Sequence, residues 1–369
     1  MSTAFDPLDL PTMHLPNRIA MAPLTRRRAY GPGLSATDLI AEYYEQRATA
    51  GLIVAEAMQP EPVGQGYTDT PGLHDEAQAA SWRPVTARVH AAGGRIVAQL
   101  MHAGRNSHPE LLGGGLHPLA PSAVAAEGRV RIHGGEPAVR KSYPVPRALP
   151  VEDVERTIAR FADSAALALT AGFDGVELHG AYCYLIQQFL SSNANLRTDR
   201  YGGDLAGRRR FVLELVDAVA ARIGAGRLAL RLSPGCTAFG LVEDDVDELY
   251  RGLVDQLPRD LGYLHLFEWP GHRDLTVELR RRWPGTLVLN PHAAWTDFPT
   301  GPDALRVVDE GLADVVAFGT HFISNPDLVE RLRVGAPLAP ADDSTFYRGD
   351  ARGYTDYPTL AAGRTVGSG

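Results

Sequence analysis

Short apolar runs alternate with amphipathic stretches along almost the whole chain. Eight runs rich in Val, Ile, Leu and Ala predict strands buried on both faces, at residues 18–22, 52–57, 95–100, 175–179, 228–232, 263–267, 286–289 and 315–319. Helical periodicity follows each of them, at residues 36–50, 76–92, 151–171, 206–223, 244–257, 273–282, 302–310 and 326–334. Eight successive strand–helix units predict an α/β fold, namely a (β/α)8 TIM barrel.

A doubly wound open sheet is the competing architecture. That fold places a glycine-rich turn directly after its first strand. Here the first predicted strand runs into Met21-Ala22-Pro23-Leu24-Thr25, which contains no glycine. The barrel is therefore the favoured prediction.

Two segments interrupt the alternation. Residues 101–147 are rich in Gly and Pro, including Gly113-Gly114-Gly115 and His133-Gly134-Gly135. A long excursion after the third strand is expected to cover the C-terminal mouth of the barrel, where such folds carry their chemistry. The tail, residues 336–369, is predicted as coil pinned by its aromatic residues. Because one barrel accounts for a chain of this length, residues 1–369 are predicted to form a single domain.

Composition narrows the function classes. A net charge of −8 argues against nucleic-acid binding, and no apolar run is long enough for a membrane helix. Asp6 and Asp9 fall where a secretory signal would be basic and then apolar, so a cytoplasmic location is predicted. Two cysteines, Cys183 and Cys236, are too few for a disulfide framework or a four-cysteine zinc site, and no metal site is predicted. A lysine-based mechanism could use only Lys141.

Polar residues recur at the ends of the predicted strands. Thr25 follows the first strand and Glu56-Ala57 closes the second, while the next three strands end in Gln99, His179 and Arg231. The C-terminal ends of barrel strands meet at one mouth. One polar residue there would mean little, but five in register predict a ligand site.

Five segments resemble the Old Yellow Enzyme family of flavin-dependent ene-reductases. They are 16–26 (PNRIAMAPLTR), 99–105 (QLMHAGR), 172–181 (GFDGVELHGA) continuing to 188–191 (QFLS), 197–203 (RTDRYGG) and 353–358 (GYTDYP). These segments occur in order and span nearly the whole chain. The chain is therefore identified as a member of this family.

The resemblance implies a barrel that holds FMN at its mouth and reduces activated alkenes with NAD(P)H. It assigns Thr25 to flavin O4, the backbone of Ala57 to the same region, Gln99 to the pyrimidine edge and Arg231 to N1–O2. A fixed cation there stabilises the charge that collects on the reduced ring. The complete set of implied cofactor-binding residues is Pro23, Leu24, Thr25, Ala57, Gln99, Arg231, Gly319 and Thr320.

The resemblance also implies three catalytic residues. His179 and Tyr182 take the positions that bind the substrate's carbonyl or nitro oxygen, and Tyr184 takes that of the proton donor to the α-carbon. Tyr182 stands where the family has His or Asn, and Cys183 stands where it has Gly. A small packing role is the favoured interpretation of Cys183.

The phosphate-binding region is atypical. Relatives use glycine-rich backbone after the seventh strand and an arginine after the Phe-Gly of the eighth. Here the corresponding residues are Pro291-His292 and Thr320. Proline has no N–H to donate, and losing the arginine alone weakens binding by about 10- to 150-fold. Thr320, His292 or His321 are candidates to compensate.

Three functions follow from these residues. The first is an FMN-dependent oxidoreductase that reduces an enone or similar C=C bond, with Tyr184 as proton donor. The second is a flavin-free relative performing non-redox acid–base chemistry, isomerisation or cyclisation, at the same site. The third is a catalytically inactive binding protein. The expected partner is a small unsaturated carbonyl-type substrate, not nucleic acid or membrane, and the expected assembly is a monomer or weak dimer.

Overall fold

A computed structural model describes residues 2–132 and 139–360 of the chain. Eight parallel strands in it close into a barrel in which each strand pairs with the next and the eighth pairs with the first. They are β1 (Ile19–Met21), β2 (Leu52–Met58), β3 (Ile96–Leu100), β4 (Gly175–Gly180), β5 (Leu228–Leu232), β6 (Tyr263–Phe267), β7 (Leu287–Asn290) and β8 (Val315–Phe318). The predicted (β/α)8 barrel is confirmed.

One helix or helical pair follows each strand on the outside of the barrel. The helices are α1 (Asp38–Glu45), α2 (Glu76–Ala91), α3 (Val151–Thr170), α4 (Leu205–Ile223), α5 (Val246–Gln256), α6 (Arg273–Arg282), α7 (Arg306–Asp309) and α8 (Leu328–Val334). The stretch 302–310 was predicted as one helix, but it is a 3₁₀ turn, Pro302–Leu305, followed by the single turn of α7. No helix of the described residues is long and apolar enough to cross a membrane.

The barrel core follows from the apolar strand pattern. Every residue of β2 and β5 is buried, because one set of side chains fills the barrel interior while the other packs under the helices. Side-chain caps fix two helix starts. Asp75 accepts a hydrogen bond from the backbone of Gln78 at 2.8 Å, and Asp204 accepts one from Gly207 at 2.7 Å.

The excursion after β3 carries its own small elements. A turn of helix, Pro109–Leu112, precedes a parallel pair, Leu119–Ala120 with Arg147–Ala148, and an antiparallel hairpin, Arg129–Arg131 with Arg140–Ser142. His133-Gly134-Gly135 lies outside the described residues. The hairpin lines the cavity at the C-terminal mouth, so the excursion covers the mouth as predicted.

Three buried arginines hold the C-terminal tail against the barrel. Arg26 Nε donates to the carbonyl of Phe346 at 3.0 Å, Arg28 Nη2 donates to that of Arg348 at 2.7 Å, and Arg47 Nη2 to that of Tyr354 at 3.3 Å. The Tyr354 ring stacks on Tyr43 with 4.0 Å between centroids. The tail is mostly coil, as predicted, and it is anchored by side chains that lie between β1 and β2.

The remaining elements are short. Leu8–Asp9 pairs with His14–Leu15 ahead of β1, and single helical turns, Leu185–Leu190 and Thr320–Ser324, follow β4 and β8. Further 3₁₀ turns lie at Pro62–Gly64, Ala225–Arg227, Ala238–Gly240, Trp295–Asp297 and Asp343–Thr345.

Candidate active site

A cavity of about 750 Å³ opens at the C-terminal ends of the strands. The structure places all of the candidate catalytic and cofactor-binding residues on its walls: Pro23, Leu24, Thr25, Ala57, Gln99, His179, Tyr182, Tyr184, Arg231, Gly319 and Thr320. We call the part lined by Thr25, Ala57, Gln99, His179 and Arg231 the ring end. The part lined by His292, Phe298, Thr300, Gly319 and Thr320 is the phosphate end.

Strand pairing brings the ring-end side chains together. His179 of β4 is in register with Arg231 of β5, which is in register with His265 of β6. Residues paired in register on neighbouring parallel strands point to the same face of the sheet. The polar floor of the cavity is therefore built by the rigid part of the fold.

Arg231 presents an unpaired donor to the cavity region. Its side chain is 7% exposed, and its Nε has no hydrogen-bond partner among the described residues. Its Nη2 makes one long contact, 3.5 Å, with Asn290 Oδ1. Burial lowers the pKa of Arg231 and nearby Glu177 raises it, but a guanidinium stays charged at neutral pH. A buried cation with a free N–H favours an acceptor or an anion at this position.

His179 is a neutral imidazole. Burial, together with the positive charge of Arg231, holds its pKa well below the usual value for histidine. Its Nδ1 has no partner among the described residues. A neutral ring keeps one N–H, so His179 can donate a hydrogen bond to a ligand oxygen without contributing a full charge.

Tyr184 is paired with a second phenol that sequence reasoning missed. The hydroxyl oxygens of Tyr184 and Tyr67 are 2.7 Å apart, and either group could donate. Burial raises the pKa of Tyr184 well above 10 and that of Tyr67 to about 12. Both are protonated at neutral pH. Tyr67 lies in the loop after β2, and nothing in its local sequence distinguishes it from an ordinary loop tyrosine.

Tyr182 and Cys183 adopt left-handed backbone conformations, with φ of 56° and 65°. The Tyr182 ring packs edge-on against Phe267 and Trp269 at the cavity wall. Cys183 is buried with its Sγ 3.5 Å from Cys236 Sγ, and burial raises the pKa of its thiol. A protonated, buried thiol is a poor nucleophile, which supports the predicted packing role.

Glu56 does not belong to the cavity, although it was one of the five polar residues predicted to converge there. Leu52 and Val54 face the barrel interior, but the register of β2 shifts between Val54 and Ala57. Ala57 therefore lines the mouth, while Glu56 lies on the helix side beside Tyr44 of α1. There it is fully buried, and burial raises its pKa to about 7 against the opposing effect of Arg26. The correct member of the Glu56-Ala57 pair is Ala57.

The phosphate end contains a pair of stacked rings. The His292 ring stacks on Phe298 with 3.8 Å between centroids, and its Nε2 lies 3.0 Å from Thr300 Oγ1. Burial, with a contribution from Arg231, lowers the pKa of His292 to about 4, so the ring is uncharged. Thr320 and Asp343 line the cavity. His321 is not among the lining residues.

The excursion and the tail supply further lining residues that sequence reasoning did not select. They include Arg129, Arg131 and Arg140 from the hairpin and Phe346, Tyr347 and Arg348 from the tail. Arg131 and Arg140 are directly opposite each other across the hairpin. Cross-strand pairing between two short strands in a Gly-rich segment leaves no strong signal in the sequence.

Comparison with known proteins places these features in context. A sequence model of the NADH:flavin oxidoreductase / NADH oxidase family matches residues 3–339. A putative 12-oxophytodienoate reductase 4 from Oryza sativa subsp. japonica is 38% identical over 366 residues, covering 96% of this chain and 92% of that protein. A probable flavin mononucleotide-dependent alkene reductase from Leishmania infantum is 37% identical over 350 residues, covering 93% of this chain and 94% of that protein.

Solved structures are equally similar in fold. Morphinone reductase in complex with tetrahydroNAD superposes with a TM-score of 0.90 at 43% identity, covering 98% of this chain and 99% of that one. The Old Yellow Enzyme homologue from Zymomonas mobilis gives the same TM-score at 37% identity, covering 97% and 100%. The similarity therefore extends over the barrel, the excursion and most of the tail.

Proposed function

The chain belongs to the NADH:flavin oxidoreductase / NADH oxidase family, and on that premise we propose that it is an FMN-dependent oxidoreductase that reduces an activated C=C bond with NAD(P)H. The resemblance to Old Yellow Enzymes is confirmed by the same relatives. The substrate class follows from relatives described as an alkene reductase and as 12-oxophytodienoate reductases. An enone or similar unsaturated carbonyl compound is the expected substrate.

The observation that carries the proposal is that buried Arg231, whose Nε has no partner among the described residues, lines the same cavity as Gln99. A flavin pyrimidine edge offers carbonyl acceptors next to an N–H donor. The guanidinium supplies donors and positive charge, and the Gln99 amide supplies both a donor and an acceptor. The ring-end residues thus fit FMN, with Thr25 and Ala57 completing that wall.

The phosphate end fits FMN through different residues from those the family pattern uses. Thr320 offers a hydroxyl where relatives have an arginine, and Gly319 leaves room for close approach. Asp343 lines the same cavity, and its negative charge does not favour an anion there. We infer that the ring end supplies most of the affinity for the cofactor.

The protein's own residues arrange the substrate and move one proton. When bound, FMN accepts a hydride from NAD(P)H and supplies it to the β-carbon of the alkene. His179 and Tyr182 donate hydrogen bonds to the activating oxygen, where negative charge grows during that transfer. Tyr184 then gives its proton to the α-carbon, which completes the saturated product.

Tyr67 stabilises the phenolate that Tyr184 becomes after it gives up its proton. A phenolate forms on Tyr184 when its proton leaves, and Tyr184 is only 8% exposed. The Tyr67 hydroxyl, 2.7 Å away, can donate to that oxygen. A hydrogen bond to a charged acceptor in a dry site is worth about 1.5–3 kcal/mol. Tyr67 is therefore a positioning residue for the proton donor.

The flavin-free alternative has no support among the relatives, because the matched family and the alkene reductase are both flavin proteins by description. The residues it would use, His179, Tyr182 and Tyr184, are the same ones that surround the substrate in the flavin-dependent reaction. We therefore retain only the FMN-dependent function.

The remaining features of the proposal concern the protein as a whole. We predict that residues 1–369 form a single domain, and the contacts that tie residues 345–354 to the segment between β1 and β2 support this prediction. The partner is a small molecule rather than nucleic acid, supported by the net charge of −8. The assembly is a monomer or weak dimer and the location is cytoplasmic. Sedimentation velocity and cell fractionation test these two predictions.

A three-step absorbance experiment tests the proposed function. The purified protein is mixed with FMN and desalted, and a retained flavin spectrum is expected. Anaerobic NADH or NADPH should bleach it, and 2-cyclohexenone should then restore it while yielding cyclohexanone. Absence of a retained flavin, or a bleached flavin that the enone does not reoxidise, contradicts the proposal.

A further inference from the structure

A group of four polar side chains lies in the barrel interior beside the ring end. Glu177 of β4 accepts hydrogen bonds from Gln99 Nε2 at 2.8 Å and from the Tyr263 hydroxyl at 3.0 Å, and His265 Nδ1 lies 2.8 Å from its Oε2. All four residues are at most 2% exposed. Branched apolar residues ordinarily fill this part of a (β/α)8 barrel. A buried carboxylate here is costly unless its charge and its hydrogen bonds are used.

Glu177 fixes the orientation of the Gln99 amide. An ionised carboxylate only accepts hydrogen bonds, so the Nε2 of Gln99, not its Oε1, must face Glu177. Oε1 and the second N–H of Nε2 are left for a ligand, and Gln99 lines the cavity. That acceptor–donor pair complements the N3–H and the adjacent carbonyl of a flavin. Without Glu177 the amide could turn over and present the wrong pattern.

Glu177 also offsets the charge of Arg231. Although burial by itself raises the pKa of Glu177, its close contact with His265, the charge of Arg231 and the hydrogen bond from Gln99 lower its pKa below the usual value. The carboxylate is therefore ionised. In return it raises the pKa of Arg231, which burial lowers. The two buried charges interact through space, so the floor of the cavity is less positive than Arg231 alone would make it.

We propose that Glu177 is a positioning residue for the cofactor. Glu177 holds the Gln99 amide in the orientation that can hydrogen-bond to the flavin ring, and its charge keeps Arg231 from stabilising the reduced flavin too strongly. This inference rests on the proposed function. A flavin that must receive a hydride from NAD(P)H and give it to an alkene needs an intermediate potential. An uncompensated cation beside N1 favours receiving the hydride and hinders giving it.

Two substitutions separate charge from positioning. Glu177→Gln removes the charge and keeps the length of the side chain. Glu177→Asp keeps the charge and shortens the side chain, so the bond to Gln99 is lost. Tyr263→Phe is the matched control, because it removes one hydrogen bond to the same carboxylate and leaves both its charge and Gln99 in place.

Three readouts are taken on each FMN-loaded protein: the dissociation constant of FMN, the midpoint potential by equilibration with a redox dye, and the separate rates of flavin reduction by NADPH and reoxidation by 2-cyclohexenone. For Glu177→Gln we expect the ratio of reduced to oxidised FMN at a fixed potential to rise at least tenfold. This corresponds to a midpoint potential about 30 mV higher. Flavin reduction should become faster and reoxidation slower. A defect in folding alone would not move the two rates in opposite directions.

For Glu177→Asp we expect the ratio of reduced to oxidised FMN to stay within threefold of that in the unaltered protein. The FMN dissociation constant should rise about tenfold, because one pair of hydrogen bonds to the flavin is misplaced. Tyr263→Phe should change both quantities by less than threefold. The proposal is overturned if Glu177→Gln leaves the midpoint potential unchanged or lowers it. It is also overturned if Glu177→Asp shifts the midpoint potential by about 30 mV, a tenfold change in the ratio of reduced to oxidised FMN, or leaves FMN affinity intact.

The Asp variant decides the question alone if the Gln variant does not fold. Failure of the inference is also distinct from failure of the proposed function. If the unaltered protein binds no FMN, the function fails; if it binds and turns over FMN but the variants behave alike, only the role of Glu177 fails.

Discussion

The ring end and the phosphate end of the cavity take their residues from different strands and differ in how closely they follow the family pattern. At the ring end, β3, β4 and β5 supply Gln99, His179 and Arg231 from positions locked in register. At the phosphate end, the loops after β7 and β8 supply an aromatic stack and a threonine. Residues on paired strands cannot move independently, whereas loop residues can be exchanged without disturbing the barrel. We therefore expect the proposed chemistry to be retained where the scaffold is rigid, and recognition of the phosphate to differ from the family pattern where loops supply the residues.

The largest effect is expected from breaking the ring end at its proton donor. Tyr184→Phe removes the general acid, so reoxidation of the reduced flavin by 2-cyclohexenone should slow by about 10²- to 10⁴-fold. Reduction by NADPH should change little, because no proton from Tyr184 is needed there. Stopped-flow absorbance measures both steps. Tyr201→Phe, a phenol outside the cavity, is the control, and equal slowing in the two variants would contradict the assignment.

The next largest effect is expected from restoring the phosphate end. Thr320→Arg adds the cation that relatives have, and FMN affinity should rise by about 10- to 150-fold while riboflavin affinity stays constant. Fluorescence titration with the two flavins isolates the phosphate contribution. Thr296→Arg adds the same charge outside the cavity lining and controls for general electrostatic attraction. If riboflavin binding rises as much as FMN binding, the comparison between the two ends fails.

A smaller effect is expected from the second phenol at the ring end. Tyr67→Phe removes one hydrogen bond to an oxygen that becomes partly charged, worth about 1–2 kcal/mol, so reoxidation by the enone should slow about 5- to 30-fold. In a Tyr184→Phe background the same substitution should add almost nothing, because its acceptor is gone. Independent, additive losses in the double variant would show that Tyr67 acts on something else.

The smallest effect is expected from pH. Tyr184 has a pKa raised well above 10 and would lose its proton only above that value, and His179, with its pKa well below 6.5, would gain charge only in acid. The rate of reoxidation by 2-cyclohexenone should therefore be flat from about pH 6.5 to 9.5. A tenfold change within that range would mean that a different group donates the proton.

The sequence predicted the barrel and the strand-borne part of the site because both depend on local patterns. Apolar runs mark the strands, and a polar residue at a strand end marks the mouth, which is how Gln99, His179 and Arg231 were identified. The same logic failed for Glu56, because the register of β2 shifts between Val54 and Ala57 and turns Glu56 away from the interior that Leu52 and Val54 face. Only the pairing of β2 with β3, in which Ala57 lies opposite Gln99, decides which of Glu56 and Ala57 faces the cavity.

Residues brought in over long sequence distances could not be predicted. Tyr67 and Tyr184 are 117 residues apart, and their contact depends on how one loop packs over another. Glu177 lies within the family-like segment 172–181, but its partners Gln99, Tyr263 and His265 come from two other strands. A hydrogen-bond network across the barrel interior has no periodicity along the chain, so its members look like isolated polar residues in apolar strands.

The tail anchorage bears on how the protein is made. Arg26 emerges from the ribosome 320 residues before Phe346, whose carbonyl it must bind. At the usual pace of translation this interval lasts roughly 15 to 65 s. During that time the buried guanidinium groups of Arg26, Arg28 and Arg47 lack the tail carbonyls they bind in the finished fold. The part of the cavity wall that Phe346, Tyr347 and Arg348 supply can form only after this segment has been synthesised.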